Sequence, residues 1–222
     1  MDGVFDVKSV LAGASDARLY EVIFRRRDVR REFSGAPVDP AVLARVLAAA
    51  HSAPSVGLSQ PWDFVVVDDP GLRRAFSEHV QAERAVFAGR LTGERARLFQ
   101  GIKVDGVFES SLSVVVSYDP DRGAPEVLSR HAIADAGTYS GCLAIQNLWL
   151  AATAEGLGWG GYRFTGNPSL SGCSVFPRRS GHLRGCALGR SVSLPLRLNW
   201  NEPDGATAAR SRRPCIATAG ST

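Results

Sequence analysis

The sequence has few cysteines and only two lysines, and it lacks long apolar runs. No pair among its four cysteines has metal-site spacing such as C-x-x-C, so no metal centre is indicated. A disulfide framework is not expected either, because disulfides are rare in cytosolic proteins. No run of about 18 apolar residues exists, so we expect no membrane span. The first residues lack the basic start and apolar stretch of a secretory signal. We therefore expect a cytoplasmic protein.

An excess of basic charge is also absent from the main part of the chain. The net charge is +4, but residues 165–222 carry eight arginines and two acids, a balance of +6. The residues before them therefore sum to −2. Because a nucleic-acid-binding surface needs clustered positive charge, we do not expect a nucleic-acid partner.

The apolar residues, 45% of a 222-residue chain, follow the patterns of one α+β domain. A long segment with few charges, residues 131–158, predicts a helix that is central or is covered by a second subunit. Asp39 followed by Pro40 predicts the cap and first position of another helix. The remaining predicted elements are helices over about 15–26 and 72–91 and buried strands over 62–69 and 112–119.

Residues 24–33, FRRRDVRREF, place five arginines around Asp28 at the end of the first predicted helix. Guanidinium groups hold phosphate through paired N–H donors and keep their charge when buried. Neighbouring cations are expected to keep Asp28 ionised, which leaves it able to move protons. A solvated helix end with weak local ion pairs has the same pattern. The residues alone leave both interpretations open.

A second motif, APSVGLSQPWDF at residues 53–64, is a polar loop that leads into a predicted buried strand. Ser55 and Gln60 carry hydrogen-bonding groups suited to a phosphate or to the edge of a heteroaromatic ring. Gly57 permits close approach of the backbone to a ligand. The pattern fits an ordinary turn equally well, with Trp62 beginning the core.

Together with residues 133–158, IADAGTYSGCLAIQNLWLAATAEGLG, these motifs resemble the nitroreductase-like flavoprotein superfamily, and in particular its flavin-fragmenting branch, the 5,6-dimethylbenzimidazole synthases. The resemblance covers about residues 17–158. It implies an α+β sandwich with helices around a small mixed or antiparallel sheet, in an obligate homodimer. It also implies Asp28 as the catalytic residue. The implied flavin contacts are Arg26, Arg27, Asp28, Val29, Arg30, Ser55, Gly57, Gln60, Val104 and Gly106.

The reaction implied by this resemblance consumes reduced FMN as its substrate, with O2, and yields 5,6-dimethylbenzimidazole, the lower ligand of cobalamin. No metal is implied, because reduced flavin itself supplies electrons to oxygen. A separate flavin reductase that uses NAD(P)H is the implied source of reduced FMN. The alternatives are a nitroreductase that recycles bound FMN with NAD(P)H, and a flavin-binding protein that is inactive because of an altered C-terminus.

The sequence departs from the family after residue 158. The family has GLGVGWVSF after the long helix, whereas this chain has GLGWGGYRF, with Arg163 at the position of a serine that acts with the aspartate. Restoring one base before permitted codons for WGGYRF gives Val-Gly-Trp-Val-Ser-Phe. We therefore interpret residues 1–158 as the flavin domain and residues 159–222 as an out-of-frame tail that is disordered. Sequencing the gene across Gly158 tests this interpretation.

Overall fold

The structure is a computed structural model that describes residues 16–123, 126, 130–133, 135–163 and 183–190. Within these residues, no helix is both long and apolar enough to cross a membrane. In chain order the elements are α1 (Ala17–Arg25), α2 (Pro40–His51), a 3-10 turn (Val56–Leu58), β1 (Trp62–Val67), α3 (Pro70–Ala88), α4 (Gly93–Gln100), β2 (Leu112–Tyr118), α5 (Ala136–Ala154), β3 (Leu157–Arg163) and β4 (Leu183–Arg190).

Aspartate caps followed by proline fix the starts of α2 and α3. The carboxylate of Asp39 accepts from the second N–H of α2 at 2.7 Å, and Pro40 occupies the first helical position, as predicted. Asp69 accepts from the N–H of Leu72 at 2.7 Å, and Pro70 begins α3. Helix α3 therefore starts two residues before the prediction, because the Asp-Pro pair caps the helix as well as ending the strand.

Helix α4 is not predicted by the sequence, because it is short, charged and stabilised from outside. Its C-terminal carbonyls are held by two distant arginines. Arg84 of α3 donates to the carbonyl of Gln100 at 3.2 Å, and Arg31 donates to that of Gly101 at 2.8 Å. A helix of this length is marginal alone, so these tertiary hydrogen bonds decide where it forms.

The strands form one antiparallel sheet in the order β1-β2-β4-β3. Trp62 lies opposite Tyr118 and Val67 opposite Ser113, which sets the register of the β1–β2 pair. Helices surround this sheet, so the predicted α+β class with a small antiparallel sheet is confirmed.

Two pieces of the chain beyond Gly158 belong to the sheet. Residues 159–163 continue β3, and β4 lies between β2 and β3. For these residues the structure differs from the expected disorder, because neighbouring strands supply backbone partners that require no alternating pattern. The other tail residues lie outside the described residues, and the domain boundary and the frameshift stay predictions.

The hydrophobic core lies where α2, α3 and α5 contribute buried side chains beside the sheet. None of its largest members is more than 1% exposed: Val46, Phe76, Val114, Leu148 and Trp159. The amide of Asn147 on α5 donates to the carbonyl of Ala49 on α2 at 3.1 Å. Helix α5 is thus central, and it is the element on which both predicted motifs pack.

Candidate functional site

The arginine-rich segment that follows α1 is attached to the outer side of β3. Asp28 forms a parallel backbone bridge with Trp159, and the N–H of Val29 donates to the Trp159 carbonyl at 2.7 Å. Val29 itself is only 5% exposed. These contacts are made by backbone groups. The edge strand β3 therefore fixes the backbone of residues 28 and 29, and with it the positions from which the side chains of Asp28 and Arg30 extend.

Asp28 and Arg30 form an ion pair, and both side chains also hydrogen-bond to the backbone of β3. Oδ2 of Asp28 lies 2.6 Å from Nη2 of Arg30, and Oδ1 accepts from the N–H of Gly161 at 3.1 Å. The same Nη2 donates to the carbonyl of Gly161 at 2.8 Å. The structure therefore brings together the predicted carboxylate and one predicted arginine.

Burial raises the pKa of the Asp28 carboxyl above its ordinary value, and this effect exceeds the opposing effects of its neighbours. The opposing effects are the positive charge of Arg30, the Gly161 N–H and the charge of Arg26. Since 42% of the side-chain area is accessible, water screens part of these effects. A carboxyl with a raised pKa is a better proton donor near neutral pH than an ordinary one.

Two of the neighbouring arginines are directed to groups other than the Asp28 carboxylate. The Arg26 guanidinium carbon lies 4.2 Å from the centre of the Trp149 ring. Nη1 of Arg27 donates to the carbonyls of Phe24 and Arg26, each at 2.7 Å. Only Arg30 makes an ion pair with Asp28 among the described residues.

Trp149 of α5 supports this segment, a role that the sequence does not reveal. Its indole N–H donates to the Arg27 carbonyl at 3.3 Å, and its ring stacks on that of Trp159 at 5.9 Å between centroids. A tryptophan in a buried helix usually signals core packing, so only the tertiary contact identifies its second function. Arg26, Trp149 and Trp159 thus form a continuous stack beside Asp28.

The donor set of this segment fits a phosphate. Among the described residues, the Arg26 guanidinium stacks on Trp149 without donating a hydrogen bond, so its N–H groups remain available. Arg27 is exposed, and the two hydrogen bonds above engage one of its terminal nitrogens. Planar guanidinium groups bind phosphate oxygens in pairs and hold a permanent charge. The donors of these arginines are therefore suited to a phosphate group.

The second motif forms a loop closed by its own hydrogen bonds. The Ser55 hydroxyl oxygen accepts from the N–H of Gln60 at 2.9 Å, and the Gln60 side-chain amide donates to the carbonyl of His51 at 3.2 Å. The N–H of Val56 donates to the hydroxyl of Ser140 on α5 at 3.0 Å. Ser55 and Gln60 thus have a structural role whether or not they contact a ligand.

The backbone of this loop turns through the left-handed region at Gly57, Leu58 and Gln60, with φ of 56°, 53° and 41°. Glycine adopts this conformation freely, but leucine and glutamine adopt it at an energetic cost. The side chain of Leu58 is also 87% exposed. Strained backbone together with an exposed apolar side chain is typical of a loop that contacts a ligand or a partner.

The two motifs contact α5 at different positions along the helix axis. The loop meets the helix at Ser140, and the arginine-rich segment meets it at Trp149. A rise of about 1.5 Å per residue places these two positions about 13 Å apart along the helix axis. The structure therefore assembles residues 26–30 as one group and residues 55–60 as a second, separate group.

Gly106 packs against the arginine-rich segment, and Val104 lines a surface cavity together with Arg31. A Cβ atom at Gly106 would lie 2.8 Å from the ring of Phe33 and 2.9 Å from the carbonyl oxygen of Arg30. Asp105, which lies between Val104 and Gly106 in the sequence, is buried, and its carboxylate accepts from the N–H of Val107 at 2.9 Å. The absence of a side chain at Gly106 is what lets residues 30–33 approach so closely.

Gly106→Ala is expected to lower the free energy of unfolding by about 1–3 kcal/mol, because the backbone oxygen of Arg30 cannot yield as a flexible side chain would. Urea denaturation measures the loss. Gly89→Ala is the control, because a Cβ there meets its nearest atom at an ordinary 3.6 Å. Equal stability of the two variants would contradict the close packing at Gly106.

Two solved structures with a similar fold have titles that name a flavoprotein or bound FMN. A BluB-like flavoprotein from Clostridium difficile 630 aligns with a TM-score of 0.60 at 20% identity, covering 80% of this chain and 93% of that one. An oxidised iodotyrosine deiodinase bound to FMN and 3-iodo-L-tyrosine aligns with a TM-score of 0.60, also at 20% identity, covering 80% and 91%. These likenesses establish the fold.

Similarity in sequence is greater among curated proteins. A 5,6-dimethylbenzimidazole synthase of Rhodobacter capsulatus is 38% identical over 142 residues, which are 64% of this chain and 68% of that protein. The synthase of Rhodospirillum rubrum is 38% identical over 135 residues, 61% of this chain and 64% of its own. The chain thus matches about two thirds of the length of these relatives.

The matched region contains both motifs and the whole of α5. The model of the nitroreductase family matches residues 23–161, which begin inside α1 and end at the Gly161 that contacts Asp28. This match covers more than half of the chain. The chain therefore belongs to the nitroreductase family.

Proposed function

We propose that the chain is an oxidoreductase that fragments reduced FMN with O2 and releases 5,6-dimethylbenzimidazole, the lower ligand of cobalamin. The observation that carries this proposal is the Asp28–Arg30 pair, which places a carboxyl with a raised pKa inside a phosphate-binding arginine segment. The identity of 38% to two synthases supports the same activity.

In this proposal Arg26, Arg27 and Arg30 bind FMN and neutralise its phosphate. Val29 fixes the backbone between them through its hydrogen bond to Trp159. The reduced flavin, when bound, supplies the electrons that O2 accepts. The remaining flavin contacts are Ser55, Gly57 and Gln60 of the loop and Val104 and Gly106 of the segment beside Arg30.

Asp28 is the proposed proton-transfer group. Arg30 contacts Oδ2 and the Gly161 N–H contacts Oδ1, and each carboxylate oxygen keeps a further lone pair with which to hold a proton. The Asp28 side chain also keeps 42% of its area accessible, so a ligand can reach it. A positioned acid or base of this kind is what cleavage of a stable ring system requires from the protein.

The proposed activity is tested by supplying FMN that a separate flavin reductase keeps reduced with NAD(P)H in air. We expect loss of flavin and appearance of 5,6-dimethylbenzimidazole, measured by liquid chromatography and mass spectrometry. Family membership also suits a nitroreductase that recycles bound FMN. Steady NAD(P)H oxidation without the separate reductase, with flavin intact, would establish that alternative. Retention of FMN without any turnover would mark an inactive flavin-binding protein.

The proposal also places the enzyme in the cytoplasm as a homodimer. The α5 face, defined here as Tyr139 and Leu143 of α5 with Leu58 of the loop that contacts the helix at Ser140, is accessible in the single chain. The exposed fractions are 57% for Tyr139, 46% for Leu143 and 87% for Leu58. Tyr139 and Leu143 lie one turn apart on the same side of the helix. Contiguous exposed apolar side chains mark protein contacts, and a second copy of this face is the proposed occupant.

Leu143→Arg is expected to convert the dimer to a monomer, because it introduces an unpaired charge into an apolar interface. Light scattering after size-exclusion chromatography measures the mass. Leu98→Arg on α4 is the matched control, since Leu98 has the same exposure of 46%. A wild-type monomer, or a Leu143→Arg variant that keeps the dimer mass, would contradict an interface at this face.

A further inference from the structure

Gly161 contacts both members of the Asp28–Arg30 pair through its backbone alone. Its N–H donates to Oδ1 of Asp28 at 3.1 Å, and its carbonyl accepts from Nη2 of Arg30 at 2.8 Å. With the 2.6 Å contact between Asp28 and Arg30, these bonds form a closed ring. The two partners lie more than 130 positions earlier in the sequence.

Strand geometry explains why both backbone groups of Gly161 are available. In an antiparallel pair, residues alternate between those that bond to the partner strand and those that face away from it. Trp159 and Gly161, two positions apart, turn their backbone groups away from β4 and towards residues 28–30. Neither interaction depends on a side chain of β3.

We propose that the backbone of Gly161 is the positioning element of the Asp28–Arg30 pair. Its N–H orients the carboxyl by fixing one oxygen, and its carbonyl orients the guanidinium that holds the other oxygen. The carboxyl therefore cannot rotate without losing a bond, and it presents a fixed orientation to a ligand on the arginine-rich segment. The catalytic meaning of this role rests on the proposed function, but the geometry and its test do not.

The effect of the Gly161 N–H on Asp28 can be measured as a change in the pKa of the Asp28 carboxyl. Arg30 and Arg26, both in the same segment, are the cations that lower the pKa of Asp28, and the Gly161 N–H lowers it as well. The side chains that α5 and β3 contribute to the adjoining stack, Trp149 and Trp159, are uncharged. Removing the N–H therefore removes one stabilising bond to the ionised carboxylate while both arginines remain.

Gly161→Pro deletes this N–H and retains the carbonyl. The substitution is expected to leave the hydrogen bonds between β3 and β4 intact, because the lost N–H faces away from β4. We expect the pKa of Asp28, measured by carbon-detected NMR titration and assigned with Asp28→Asn, to rise further above its wild-type value. Gly161→Ala keeps the N–H and is expected to titrate like the wild type. A folded Gly161→Pro variant in which the Asp28 pKa is unchanged would overturn the proposal.

A second measurement needs no proline variant. In the wild-type protein the amide proton of Gly161 is expected to shift with the ionisation of Asp28, and this titration is expected to vanish in Asp28→Asn. A Gly161 amide that ignores the Asp28 titration would also overturn the proposal. Both readouts are taken without flavin, so a failed synthase assay leaves them valid, and a failed titration leaves the proposed reaction standing.

Discussion

Asp28→Asn is expected to lower the yield of 5,6-dimethylbenzimidazole from reduced FMN by about 100- to 10,000-fold, the range that a positioned acid or base contributes. Asparagine has nearly the same shape but cannot take up or release the proton. The arginines that bind phosphate are unchanged, so FMN binding is expected to persist. Product yield is measured by mass spectrometry and flavin binding by fluorescence titration.

The control for this experiment is Asp119→Asn. Asp119 also pairs with an arginine, Arg122, and its side chain has the same exposure of 42%. It lies outside residues 26–30, at the end of β2, so its replacement is expected to leave turnover intact. Full turnover by Asp28→Asn would remove the proposed catalytic role, whereas equal losses in both variants would indicate a general effect of removing an ion pair.

Trp159→Ala is expected to lower the free energy of unfolding by about 3–5 kcal/mol, the cost of truncating a large buried aromatic side chain. Trp159 is 1% exposed, and its ring stacks on Trp149, which in turn lies beneath Arg26. The cavity left by the alanine therefore removes support from the phosphate-binding segment as well. Urea denaturation measures the loss of stability.

Trp159→Phe serves as the matched control. The indole N–H of Trp159 is buried and has no hydrogen-bond partner within the described part of the chain, so phenylalanine removes an unsatisfied donor. It also keeps an aromatic ring on Trp149. We expect Trp159→Phe to lower the free energy of unfolding much less than Trp159→Ala does. A Trp159→Ala variant within about 1 kcal/mol of the wild type would show that β3 does not pack as described.

Local signals in the sequence are sufficient where the physical cause is local. Asp39 and Pro40 start α2 because the cap and the fixed φ act within one turn. The predicted strands at residues 62–69 and 112–119 form because continuous β-branched runs favour buried extended chain. The motif at residues 26–30 is recognisable for the same reason, since clustered guanidinium groups around one carboxyl are a property of the sequence itself.

Contacts between distant segments are not encoded in any local pattern. Helix α4 is held by Arg31 and Arg84, and β4 is held by strands on both sides, so neither has a signal of its own. The pKa of Asp28 likewise depends on tertiary structure, because burial raises it against the effect of the neighbouring cations. The number of neighbouring arginines can be read from the sequence, but the burial that outweighs their effect cannot.

The sequence by itself determined the α+β class, the main helices and strands and the arginine-rich segment around Asp28, because these follow from short-range patterns. Only the tertiary structure decided that Asp28 pairs with Arg30 and that Gly161 holds both. It also decided that residues 55–60 contact α5 apart from the arginine-rich segment. Such contacts depend on how the sheet edge and α5 meet in space, and one-dimensional spacing does not specify this.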